Sequence, residues 1–165
     1  APTTCLPAWR AALGLSSTHA STSYQGEIDP FPAHGSLLTF PPILQFSEEV
    51  ENFLILVNIE NSPSARFSQV EMYDAGKVAL KGTIKARNND ATIIALDSLD
   101  FSPSHLPLII CRTMAAIPLY FSRTSDGSFL SLEHTHPPGS YVIHGKRWKA
   151  QKILKKIWFS KAFQQ

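Results

Sequence analysis

"NFLILVNIE" (residues 52–60) and "KVALKGTIKAR" (77–87) decide the fold, because both alternate with a period of two. In the first, Phe53, Ile55, Val57 and Ile59 share a face. In the second, Val78, Leu80, Ile84 and Ala86 oppose Lys77, Lys81, Lys85 and Arg87, which makes a half-buried strand with a wet, basic side. Working outward, "FSQVEMY" and "VALKG" flank Asp74-Ala75-Gly76, while "IKAR" and "ATIIAL" flank Asn88-Asn89-Asp90. Each pair reads as a hairpin. "LPLIICRT" (106–113) and "IPLYFSRT" (117–124) add apolar strands, and "SDG" turns the second into "SFLSLEHTH" (128–136). "SLLTFPPILQF" (36–46) is extended, but Pro41-Pro42 removes two ladder donors and confines it to a sheet edge or a bend.

Towards the N-terminus, "LPAWRAALG" (6–14) places Pro7 where a helix can begin and Gly14 where it can end, so a short helix is expected. "SSTHASTSYQGEIDPFPAHG" (16–35) is too polar and too punctuated for a regular element and reads as a long surface loop. The expected fold is all-β or β-dominated α+β: an antiparallel β-sandwich or barrel with a short N-terminal helix and a C-terminal amphipathic helix. The 165 residues suit a single domain, with residues 1–35 as the N-terminal helix and loop, 36–144 as the β-rich core and 146–163 as a basic helix.

No apolar run approaches the roughly 20 residues that span a bilayer. Two cysteines make no disulfide framework and no Asn-X-Ser/Thr acceptor occurs, so the expected compartment is a reducing cytoplasm; a secreted chain whose signal peptide was removed ahead of Ala1 also fits. Charge is distributed unevenly. Residues 1–133 carry 8 Lys/Arg against 13 Asp/Glu, whereas 134–165 carry 7 Lys/Arg and no acid. The two parts either attract one another within the fold or leave a cationic end for a polyanionic partner.

"LEHTHPPGSYVIHG" (132–145) holds the strongest metal-like pattern. On a strand Leu130, Leu132, His134 and His136 point one way, and two imidazoles at i and i+2 lie about 7 Å apart, near enough to converge on one ion. A third ligand would come from His144, with His105, His34 and Glu133 as further candidates. The His-X-His pair resembles part of the first cupin motif, where it supplies ligands inside a β-barrel. Over this stretch the chain departs from that motif at its glutamate, where Ser140 or Tyr141 stands, and Gly127 lies one residue further upstream. The resemblance implies a metal-dependent barrel enzyme holding a divalent transition metal such as Zn or Fe through His134, His136 and His144. The ordinary alternative is strand-end histidines bonded to backbone or lining a pocket.

Other catalytic patterns are absent: there is no Gly-X-Ser-X-Gly elbow, phosphate-binding loop or Cys-X-X-Cys pair. Cys111 follows an apolar run and reads as a buried thiol, while Asp97 and Asp100 read as strand-end caps. "GKRWKAQKILKKIWFSKAF" (145–163) is the clearest helix. Ala150, Ile153, Leu154, Ile157 and Trp158 form an apolar stripe expected to dock on a sheet. Lys149, Lys152, Lys155 and Lys156 share the opposite arc with Trp148, Phe159 and Phe163, a face suited to an acidic protein, a nucleic acid, an anionic membrane surface or a homodimer contact. The expectation is thus a non-catalytic binding protein of adaptor, inhibitor or immunity type that recognises an acidic partner through this helix. The metal-dependent enzyme is the rival.

Overall fold

The computed structural model describes residues 9–28, 31, 35–41, 48–60, 62–101, 105–134 and 146–161, with the side chains of 9–11, 26–28, 146–152 and 154 left aside. Among them, strands dominate. They are β1 (Trp9–Ser16), β2 (Ser21–Ile28), β3 (Leu37–Thr39), β4 (Val50–Asn58), β5 (Phe67–Asp74), β6 (Ala79–Arg87), β7 (Asp90–Ala95), β8 (Pro107–Cys111), β9 (Ile117–Thr124) and β10 (Leu130–His134). A 3-10 turn (Asp97–Leu99) and one helix, α1 (Lys146–Lys161), complete the set.

Three antiparallel sheets result. A first sheet has the order β10-β9-β4-β7, a second β3-β8-β5-β6, and β1 pairs only with β2. No sheet closes on itself among these residues. Both four-stranded sheets feed one cluster: Leu54, Leu56, Ile94 and Tyr120 from the first meet Leu37, Val70, Met72, Ile109 and Cys111 from the second. Each of these large side chains is all but sealed from water, and full burial of such a residue is worth about 1.5–3 kcal/mol. The opposite side of the first sheet is also covered, because Ile55, Ile117 and Leu119 form a second cluster with Phe31. Strand β4 is therefore apolar on both faces, which explains the unbroken run "FLILV".

Sequence expectations change at the N-terminus, at the β6–β7 junction and in α1. The N-terminal helix is not formed: Trp9–Ser16 is a strand, and β2 runs through the segment expected to be a loop. Leu13, Leu15, Thr22 and Tyr24 are half-buried while Ala12, Gly14, Ser16, Ser21, Ser23 and Gln25 are exposed, a period of two. Leu13 and Tyr24 pack on the second cluster, and that burial outweighs the local helix signals. Its tip is tied to the β9–β10 turn, where Ser17 Oγ donates to the carbonyl of Gly127 at 2.5 Å. Gly127 has φ 72, and a Cβ there would come within 2.8 Å of Ser17 Cβ, so this turn requires glycine.

The second change is at Asn88-Asn89-Asp90. β6 and β7 lie in different sheets, so this is a corner rather than a hairpin. The third concerns α1, which rotates its aromatics inward and leaves Ile153 59% and Ile157 45% exposed. The β5–β6 and β9–β10 hairpins, the buried Cys111 and the edge placement of β3 ahead of Pro41 stand as expected.

Candidate interaction surface

Side chains directly opposite one another in an antiparallel pair project from the same face. In the second sheet, Leu38 opposes Ile110, Ile110 opposes Glu71, Gln69 opposes Lys85 and Phe67 opposes Arg87. These residues therefore lie on one face, away from the main cluster, and the face divides in two.

One half is covered by α1. Trp158 and Phe159 pack with Leu38 and Phe40 on Tyr73, Leu108 and Ile110. The rings of Phe40 and Trp158 meet edge to face at 6.0 Å, and the Arg112 guanidinium lies 5.2 Å from the Phe159 centroid. Two aromatics bury more apolar area than two isoleucines, which is why the helix docks on this side. Arg112 also donates to Glu71 Oε2 at 3.1 Å, and Tyr73 donates to the same oxygen at 3.0 Å. Lys155 turns inward, its Nζ donating to the Ser36 carbonyl at 3.0 Å, and burial lowers its pKa.

The other half is open. Phe67 is 56% exposed, beside exposed Gln69, Thr83, Lys85 and Arg87. Leu80, expected inward with Ile84 and Ala86, is 50% exposed opposite Tyr73, because the register shifts by one residue between Met72 and Tyr73 and turns the start of β6 over. The Lys85 ammonium stands 4.1 Å above the Phe67 ring, a favourable cation–π contact. A shallow groove of about 460 Å³ runs between Phe67, Ser68, Gln69, Thr83, Ile84 and Lys85. Glu71 is already paired with Arg112, and Asp100 lies 3.8 Å from Lys81. Among the described residues no carboxylate pairs with Lys85 or Arg87. This half thus combines uncompensated positive charge with exposed apolar area.

A polar corner holds the end of β6 in place. Glu60, though 7% exposed, accepts from Arg66 Nε at 3.0 Å and from Asn88 Nδ2 at 3.0 Å, and Arg66 Nη2 closes a second bond to it. Asn88 accepts from Arg66 N at 2.7 Å, and Asn89, at φ 51, accepts from Glu60 N at 2.7 Å. Burial pushes the Glu60 carboxyl up, but the hydrogen bonds from Arg66 and Asn88 and the Arg66 charge together hold it below the usual carboxylate range. The corner's charge is internally balanced and points at no ligand.

Of the residues singled out in sequence, His134 ends β10 with its ring 4.7 Å from that of Tyr24, and Leu132 of the same row packs on the second cluster. His136, His144 and Phe163 lie outside the described residues, as does His34. Among the described residues no group of three His, Cys, Asp or Glu is placed to hold a metal ion. Trp148, Lys149 and Lys152 lie on α1, outside the described side chains. Lys155 and Phe159 face the sheet, while Lys156 is exposed with Ile153 and Ile157. Asp97 caps as expected, accepting from Asn52 N at 2.6 Å and Asn52 Nδ2 at 3.1 Å. Sequence reading missed Phe67: the basic side of β6 was visible, but its aromatic neighbour emerges only from the β5–β6 register. No protein-family model, curated protein or solved structure matches this chain.

Proposed function

We propose that this protein is a non-catalytic binding protein which recognises an acidic partner through the open, basic half of the second sheet's outer face. The observation that carries this reading is Phe67, exposed beneath Lys85 and opposite Arg87, two cations that no carboxylate pairs with among the described residues. Exposed charge sets encounter and orientation, and an exposed ring in a shallow groove adds area for an anchor. The two four-stranded sheets that share a core serve as a β-sandwich scaffold, and rigid strands hold the cations in fixed register. The C-terminal helix belongs to this surface as the cover of its other half, with Lys156 adding positive charge on the outer side.

The test is binding to soluble polyglutamate, followed by fluorescence anisotropy at low and moderate salt. The wild-type chain should bind, and affinity should fall as salt rises, because these charges are exposed and screened. Lys85→Glu with Arg87→Glu should abolish binding while leaving the melting temperature nearly unchanged. A double variant that binds polyglutamate as well as wild type removes this face from the proposal.

A further inference from the structure

We infer that the partner engages as an extended strand that adds to the free edge of β6, and that its side chains alternate acidic and apolar. This rests on the acidic-partner reading above and specifies how that partner is held. β6 is the last strand of the second sheet and pairs only with β5 among the described residues. The 3-10 turn approaches its first half, where Leu99 lies against Gly82, and β7 adjoins β6 through the corner, so the stretch of edge left unpaired among the described residues is 83–87. Along it Thr83, Lys85 and Arg87 are exposed, whereas Ile84 is half-buried against the main cluster and Ala86 is fully buried.

An incoming strand continues that alternation, since opposite residues share a face. Its outward side chains meet Thr83, Lys85 and Arg87, so carboxylates there complete ion pairs that Lys85 and Arg87 lack among the described residues. Its inward side chains lie beside Ile84 and Ala86 at the rim of the core, where apolar groups extend the buried cluster.

The other edges differ. β3 has three residues and runs towards Pro41, β10 has five and contacts the N-terminal hairpin, and β7 presents Ala91, Ile93 and Ala95 with no cation. Cations on an edge strand ordinarily block pairing between copies. On β6 they repel a second β6 and attract an acidic strand, so one feature excludes self-association and selects the partner.

The probe is a short fluorescent peptide of alternating Val and Glu, titrated with the full chain, beside a Val-Lys peptide and two Val-Glu peptides N-methylated on one or the other alternate set of residues. A strand pairs through one edge, so one methylated peptide should bind like the parent and the other should lose binding. Lys85→Glu with Arg87→Glu should weaken the parent peptide by roughly tenfold or more and favour Val-Lys. Equal effects of the two methylation patterns overturn the strand-addition inference. If polyglutamate still binds and responds to the charge reversal in that case, recognition of acidic partners by this face survives it. Loss of both kinds of binding in the wild-type chain overturns both.

Discussion

The two halves of the second sheet's outer face are built from neighbouring strands of one ladder, yet they are finished differently. Over β3 and β8 the outward residues are Leu38, Leu108 and Ile110, and α1 covers them with Trp158 and Phe159. Over β5 and β6 they are Phe67, Gln69, Thr83, Lys85 and Arg87, and no described element covers them. The first half is completed by this chain's own helix. The second is charged enough to remain in water and apolar enough to gain from being covered.

That contrast is easiest to break on the covered side. Ile110 is completely buried, so Ile110→Asp should unfold the domain or cost several kcal/mol, read as the midpoint of urea denaturation. Phe159→Ala should cost less, about 2 kcal/mol, because the ring is only half-buried. If Phe159→Ala is neutral while Ile157→Ala is costly, the helix docks by its other face.

The corner gives an intermediate effect with a defined pH dependence. The Glu60 pKa is depressed in the folded state, so its contribution to stability is present above the unfolded value of about 4.3. It is lost as pH falls through the lower, folded value. Glu60→Gln should flatten this part of the acid denaturation profile, and Glu60→Ala should cost roughly 3 kcal/mol at neutral pH by removing the carboxylate that balances the Arg66 charge and accepts from Arg66 and Asn88. An unchanged acid profile in Glu60→Gln would remove Glu60 from the corner's energetics.

On the open half the effect on folding should be smallest. Phe67→Ser and Lys85→Glu each remove the Lys85–Phe67 contact and should change stability by no more than about 1 kcal/mol, while Phe67→Ser weakens polyglutamate binding by several-fold. A large loss of stability in either variant would mean that this half is part of the fold and not a recognition surface.

How much of this was legible depended on whether local chemistry and tertiary burial agreed. They agree at β8 and β9, whose apolar runs are simply buried, and at the Asp74-Ala75-Gly76 and Ser125-Asp126-Gly127 turns. They disagree at Trp9–Ser16, where Pro7 and Gly14 imitate helix ends while Leu13 packs a strand against a sheet far along the chain. Asn88-Asn89-Asp90 carries turn chemistry that serves a hairpin and a corner equally, and the choice is made by Glu60 and Arg66, more than 20 residues upstream. The position of α1 is readable from its composition, but its rotation is not: Ile153 and Ile157 compete with Trp158 and Phe159, and the pocket formed by Leu38, Phe40, Leu108 and Ile110 decides. For the candidate site, half was visible as the lysine and arginine alternation of β6. Phe67 needed the register of its partner strand.

The most direct test of the acidic-partner surface is a two-dimensional NMR titration of the wild-type chain with polyglutamate. Amide shifts should be confined to Phe67, Gln69 and residues 83–87, with little change at Ile153, Lys156 and Ile157 on α1. Shifts concentrated on α1, or scattered evenly over the cationic residues, would contradict it.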